Sequence, residues 1–414
     1  MIEIKTLPNG VRIVSEHMPA MRSASVGIWV GAGSRCEKAS EAGSAHFIEH
    51  MLFKGTGKRS ARELACEMDA IGGQCNAFTS RESTCFYARC LDSHLDSACE
   101  LLADMFFDSL FDEEDVRNER GVVCEEIGMY RDTPEDLVQE QLLVKCFPGT
   151  LGRPVLGREA TLEKMTGASL RAFKDREYCP SRVVLALAGS FTEEQLSRFA
   201  APFAAMEKRK DPRIQAARYL PTVVCKRKNT EQNHFCLAWE GLSNDRPERF
   251  ALDLLSTILG EGLSSRLFQT VREKYGLCYS IGTGAVSFSD IGLFTLYTAT
   301  GRETEKRALE LIAQELRSLR EDGVSAQELT RAQELMRSSL LMASESTSSR
   351  MMRLGGAMLA IGRCMDIEER LDSYASVTRE DILSVAQSLL RPDKFSFSAL
   401  GRIGEAESCL PLFQ

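Results

Sequence analysis

The 414 residues carry a formal net charge of -8 and are 43% hydrophobic, which allows two ordinary domains with substantial cores and argues against nucleic acid as a partner. The 14 cysteines run from Cys36 to Cys409 without a Cys-x-x-Cys pair, a pattern of buried thiols in a reducing compartment, so a cytoplasmic location is expected. No segment reads as a membrane span, and Met1 to Gly10 lacks the basic start and apolar run of a signal peptide.

In chain order, strands are expected at Val11 to Glu16 and Ala24 to Val30. They are followed by Gly43-Ser-Ala-His-Phe-Ile-Glu-His-Met-Leu-Phe-Lys-Gly-Thr56. On a helix, positions i and i+4 share a face, so His46 and His50 can reach one metal ion. Glu49 precedes the second histidine and can take a proton from a metal-bound water without binding the metal. The order His-x-x-Glu-His is that of the inverzincins. A structural zinc site would want a further Cys or His nearby and would have no use for Glu49.

Ser60-Ala-Arg-Glu63 reads as a capping box opening a helix. Strands at Gln74 to Thr79 and Cys85 to Cys90 come next, then an acidic helix from Asp112 to Tyr130. Glu119 and Glu126 stand seven apart on one face of that helix, with Val122, Val123 and Ile127 supplying apolar contacts. A third metal ligand is available there, although acidic runs of this kind are usually solvated faces.

From Met165 to Gly189 the chain describes a capped helix, a stopping proline and an apolar strand, with the strand placed at Val183 to Ala188. Val377 to Gly401 repeats it without a gap at an offset of 212 residues: Thr166 meets Thr378, Leu170 meets Ile382, Phe173 meets Val385 and Pro180 meets Pro392. Thr192-Glu-Glu-Gln195 caps one more helix. The charged stretch 207–221 reads as a linker, which gives domains at 1–210 and 222–414. The fold class expected is α+β, with two homologous domains, each a largely antiparallel sheet covered by helices. No His-x-x-Glu-His recurs after residue 50, so only the first domain carries the metal motif.

Three segments together resemble the pitrilysin-type metallopeptidases, the branch with the processing peptidases in particular: His46-Phe-Ile-Glu-His-Met-Leu-Phe-Lys-Gly-Thr56, Ile71-Gly-Gly-Gln-Cys-Asn-Ala-Phe-Thr-Ser80 and Asn118-Glu-Arg-Gly-Val-Val-Cys-Glu-Glu-Ile127. The likeness extends over nearly the whole chain. It implies one zinc ion per chain, held by His46, His50 and the glutamate some six dozen residues onward. Glu126 follows His50 by 76 positions, and of the pair Glu125 and Glu126 only the latter shares the face of Glu119. The resemblance further makes Glu119 a support behind the site. Within Gly262 to Tyr279 it makes Arg272 and Tyr279, seven apart, contacts to the substrate and to the carbonyl under attack. Asn76, Ala77 and Phe78 become the edge strand on which an extended peptide adds, and Phe53 a wall of the pocket beyond the cut.

The expected function is zinc-dependent endopeptidase action on short or unfolded polypeptides inside a closed chamber, with a zinc-bound water activated by Glu49. Long relatives hold four such domains in one chain, whereas this chain has two and carries both residue sets, so the resemblance implies a homodimer. A non-catalytic partner subunit and a non-proteolytic metal-binding module are the alternatives. The intact His46, Glu49, His50 and Glu126 argue against the former, and the presence of Glu49 against the latter.

Overall fold

Among the described residues, 1–404 and 406–413, the computed structural model holds two sheets. The first is built from β1 (Ile2–Thr6), β2 (Arg12–His17), β3 (Ser23–Val30), β4 (Gln74–Thr79), β5 (Thr84–Leu91) and β6 (Val183–Gly189), in the order β1-β2-β6-β3-β5-β4. The second contains β7 (Val223–Arg227), β8 (Asn233–Gly241), β9 (Cys278–Ser287), β10 (Gly292–Thr300) and β11 (Ser396–Gly401), in the order β7-β11-β8-β10-β9. Each has a single parallel pair, β2 with β6 and β7 with β11, and is otherwise antiparallel. The α+β class with two helix-covered, largely antiparallel sheets is therefore what the chain adopts. β1 lies outside the expected strands; it is an edge strand that buries almost nothing, and Ile4 is half-exposed.

The repeat read in the sequence is a repeat in structure. Thr166 and Thr378 each cap a helix, accepting from the amides of Ser169 and Asp381, and the helices run Gly167–Glu177 and Arg379–Leu389. Pro180 and Pro392 each open a short 3-10 turn that leads into β6 and β11. The capping boxes at Ser60 and Thr192 are formed as well.

β6 is buried along its whole length, which means that both faces of the first sheet are covered. Val183, Leu185 and Leu187 point into one core with Val26, Ile28, Phe86 and Ala88. That core is closed by α1 (Ser44–Met51), α3 (Leu95–Asp108) and the helices Gly167–Glu177 and Glu193–Ala204; α2 (Ala61–Ala70) adds Leu64. Val184, Ala186 and Ala188 face the other way, with Val14, Trp29 and Cys85. This second face is covered by Met351, Leu354 and Met358 of the helix Thr347–Ile361, far along the chain. Each of these three side chains contributes on the order of 2 kcal/mol by burial. The helix comes so close to β3 that a Cβ on Gly355 would lie 2.1 Å from the Trp29 indole nitrogen.

The second unit is arranged in the same way. Its helices Arg249–Gly260, Glu305–Asp322 and Arg379–Leu389 share a core with Phe235, Leu237, Phe294 and Phe397. The opposite face is covered by Val138, Leu142 and Cys146 of α5 (Pro134–Cys146), which packs on β8 and β11. The compact units consequently interleave. One comprises Met1–Gly128, Arg153–Gln215 and Leu341–Asp366; the other comprises Met129–Gly152, Ala216–Leu340 and the remainder from Ile367. A division at 210 and 222 would assign α5 and the helix Thr347–Ile361 each to the wrong unit, because each covers the sheet of the other repeat. The boundary at Gln215 does fall inside the stretch 207–221, which has no regular secondary structure after residue 206.

All 14 cysteines are free and only Cys66 is exposed. No helix among the described residues is long and apolar enough to cross a membrane.

Candidate active site

The two histidines lie on α1, whose apolar side, Ala45, Phe47, Ile48 and Met51, is fully buried. The helix starts at Gly43, which has φ +98°, and no N-cap side chain serves it. Its first amides are met instead by the buried Glu37 carboxyl group, whose oxygens accept from the Gly43 N–H and the Ala45 N–H at 2.9 Å each. Burial pushes the Glu37 carboxyl up to about 8, against those two amides and the Arg153 charge, which pull it down. These two bonds satisfy amides that the first turn leaves without intrahelical partners, which helps to fix the start of α1 and with it the phase of both histidines.

The second contribution comes from α4 (Glu113–Asp132), which buries Val116, Glu119, Val123 and Ile127. Glu126 projects towards α1: its Oε2 is 3.5 Å from His46 Nε2 and 3.7 Å from His50 Nε2, and the two Nε2 atoms are 3.3 Å apart. His46, His50 and Glu126 form a group whose ligand atoms lie within 4.8 Å of one another, the sole such group of His, Cys, Asp and Glu among the described residues. Two nitrogens bound at about 2.05 Å to one tetrahedral ion stand roughly 3.3 Å apart. Two imidazole nitrogens and one carboxylate oxygen converging at this spacing suit a zinc ion in donor type as well as geometry. Glu125 is exposed and outside the group.

Electrostatics favour the same use. Burial, with the neighbouring His50, pushes the His46 imidazole down to about 4, so that it is neutral and able to donate a lone pair. Its buried Nδ1 has no hydrogen-bond partner. His50 differs. Burial lowers its pKa, but the bond and charge of Glu119, with Glu49 and Glu126, outweigh this and raise it. Its Nδ1 meets Glu119 Oε1 at 2.7 Å, and the other Glu119 oxygen meets Lys54 Nζ at 2.5 Å. His50 is thus held through its far nitrogen, with Nε2 left for the metal, an arrangement in which the outer carboxylate fixes the tautomer.

Glu49 stands beside the group without joining it. Burial raises its pKa, and Thr79 Oγ1, which donates to Glu49 Oε2 at 2.6 Å, offsets part of that. Thr79 is the last residue of β4, a strand paired only with β5. Along it Asn76 and Phe78 are exposed, whereas Cys75 and Ala77 are half-buried against the first core. The Asn76 side chain accepts from the Ala77 amide, and Phe78 lies edge-on to Trp29 at 5.5 Å. Phe53, in the turn after α1, is half-buried and packs on the same core.

Arg272 and Tyr279 belong to the second unit and meet each other there. Arg272 lies in a π-helical turn, Phe268–Lys274, with its guanidinium over the rings of Phe268 and Tyr279 at 4.6 and 5.0 Å. Such turns are rare and cluster at functional sites. Tyr279, near the start of β9, is 75% exposed.

Sequence reasoning passed over Glu37, Lys54 and Thr79. Lys54 and Thr79 lie inside the quoted motifs, but nothing local distinguishes them from surface residues. Glu37 gives a weak signal: a charged residue shortly before a helix that has no Ser, Thr, Asp or Asn at its N-cap.

Residues 12–159 match the family model for "Insulinase (Peptidase family M16)", and residues 164–336 that for "Peptidase M16 inactive domain". The chain is 41% identical over 396 residues to the uncharacterized zinc protease YmxG of Bacillus subtilis, covering 95% of this chain and 97% of the relative. An uncharacterized zinc protease of Streptomyces coelicolor is 39% identical over 416 residues, with coverages of 97% and 90%. Among solved structures, a peptidase M16 inactive domain from Pseudomonas fluorescens superposes with a TM-score of 0.91 at 19% identity, covering 97% and 98% of the two chains. A protease from Helicobacter pylori gives 0.89 at 20%, covering 97% and 99%. At these identities the two structures speak for the fold alone.

Proposed function

Because the chain belongs to the insulinase-type M16 peptidase family, we propose that it is a zinc endopeptidase that cuts short or unfolded polypeptides. One observation carries the reading: three donor atoms from His46, His50 and Glu126 surround one point, while Glu49 stands next to them bound to Thr79. A purely structural metal site has no role for that carboxylate.

A zinc ion bound there supplies positive charge that acidifies a water and polarises a carbonyl. The residues do the rest. Glu49, its pKa raised by burial, takes the proton of the attacking water and returns it to the leaving amine. Glu119, itself held by Lys54, keeps His50 in the donating tautomer. The free edge of β4 offers backbone groups to an extended peptide, so binding draws on main-chain pairing and tolerates varied side chains. Tyr279 supplies a hydroxyl to the developing oxyanion, and Arg272, stacked on its ring, helps to hold it and contacts the substrate.

The test is to incubate the purified protein with a mixed peptide library, with and without a chelator, and to map the products by mass spectrometry. Cleavage that the chelator abolishes and zinc restores is expected. Bound zinc at one per chain with no cleavage would instead favour the non-catalytic subunit.

The working form we propose is a homodimer in the cytoplasm, in which the first unit of one chain and the second unit of the other enclose each site, giving two sites per dimer. Its support is the presence of both residue sets in a chain of two repeats. Glu49→Gln and Tyr279→Phe, each inactive alone, are expected to recover activity when mixed and allowed to exchange subunits, since one class of mixed dimer has one undamaged site. Absence of recovery after demonstrated exchange counts against the shared chamber.

A further inference from the structure

The Thr79 hydroxyl has a direction as well as a length. Each threonine hydroxyl has one proton to give. Thr84, the cross-strand partner of Thr79, is fully buried and donates its own to the Ala32 carbonyl at 2.8 Å. Thr79 Oγ1 lies 3.4 Å from Thr84 Oγ1 but 2.6 Å from Glu49 Oε2. Its proton is therefore committed to Glu49, and Oε2 is the anchored oxygen. Among the described residues, Oε1 carries no comparable bond.

The post that bears this hydroxyl is itself fixed. Directly after Thr79 the hairpin turns through Ser80 to Ser83, closed by the Ser80 amide on the Ser83 carbonyl at 2.7 Å. The loop before α1 grips the tip of the turn: the Arg35 amide donates to the Arg81 carbonyl at 2.8 Å, and the buried Arg35 guanidinium pairs with Glu82 at 2.6 Å. Two residues on, the same loop provides Glu37, the carboxyl group at the start of α1. Strand end and helix start are thus tied to one short segment.

We propose that Thr79 is the positioning residue of Glu49: its hydroxyl anchors Oε2, leaves Oε1 to meet the reacting water, and makes the strand that receives the peptide also the strand that sets the base. The proposal rests on the reading of Glu49 as the base. By the two-residue period of a strand, Thr79 turns to the α1 side together with Ala77, so substrate pairing along Ala77 to Thr79 and base alignment are set by one rigid stretch. A misplacement of the base by a fraction of an ångström then appears in turnover and not in binding.

The test compares Thr79→Val, isosteric without the hydroxyl, with Thr79→Ser, which keeps it, in the full chain. Zinc content, melting temperature, kcat and KM are measured on a peptide found to be cut. Thr79→Val should retain full zinc and a near-native melting temperature, lose about 10- to 100-fold in kcat and change KM by less than about twofold. Thr79→Ser should recover most of the loss. If Thr79→Val does not fold, Thr79→Ala replaces it with the same expectations. Added to Glu49→Gln, Thr79→Val should cost nothing more. Native kcat in Thr79→Val, a loss confined to KM, a loss of zinc, failure of serine to rescue, or a full additional loss in the double variant would each overturn the proposal. Should Glu49→Gln itself stay active, the base assignment fails; a dead Glu49→Gln beside a fully active Thr79→Val sinks the Thr79 inference alone.

Discussion

Glu49→Gln is expected to keep its zinc and lose roughly 10²–10⁴-fold or more in peptide hydrolysis. Glutamine has the shape of glutamate and retains an oxygen for the Thr79 hydroxyl, so α1 and both histidines have no reason to move. What disappears is the group that accepts a proton and gives it back. The loss should appear in kcat and equally in kcat/KM, because the interaction removed belongs to the transition state. Metal analysis and steady-state kinetics on the same preparation check both halves. A variant that loses zinc along with activity would make Glu49 a ligand, contrary to the group formed by His46, His50 and Glu126.

Glu126→Ala should lose bound zinc, with affinity falling by more than the 10- to 100-fold typical of changing an outer partner such as Glu119, while Glu125→Ala keeps zinc at one per chain. The two residues are adjacent on α4 and identical in chemistry, so the comparison holds composition and net charge constant. It isolates direction alone, because Glu126 faces the histidines and Glu125 faces outward. Titration with a competing chelator gives the affinities. Full occupancy in Glu126→Ala together with loss in Glu125→Ala would shift the ligand by one residue and rotate α4 by about 100° from the arrangement described.

The parts of this site that the sequence announces are those within one turn of one helix. His46, Glu49 and His50 are legible because the helical period alone brings 46 and 50 together. Glu119 and Glu126 are legible as a face, but that face meets α1 only through tertiary packing, and it took the resemblance to choose it. Lys54 and Thr79 were beyond reach for a physical reason: whether a lysine or threonine touches a glutamate elsewhere depends on hairpin register and helix placement, which periodicity does not encode. The π-helical turn at Phe268–Lys274 has no sequence period to betray it. Five of the six strands of the first sheet were foreseeable, and the repeat added β11 together with the caps at Thr166 and Thr378, whereas β1 and the strands β7 to β10 were not placed. What the repeat hid was ownership. Nothing in the residues of the helix Thr347–Ile361 tells that the sheet beneath it is made of β2, β3 and β6.

That ownership decides what either repeat could do alone. α5 and the helix Thr347–Ile361 stand at corresponding places in the two repeats, and each shields the sheet of the other. Without the helix Thr347–Ile361, Val14, Trp29, Val184 and their neighbours would lie open to water, and without α5 the same holds for Cys236, Ala238 and Leu400. Neither repeat, cut out along its own stretch of sequence, therefore carries the cover for its own sheet, and a fragment ending near residue 215 would expose an apolar face.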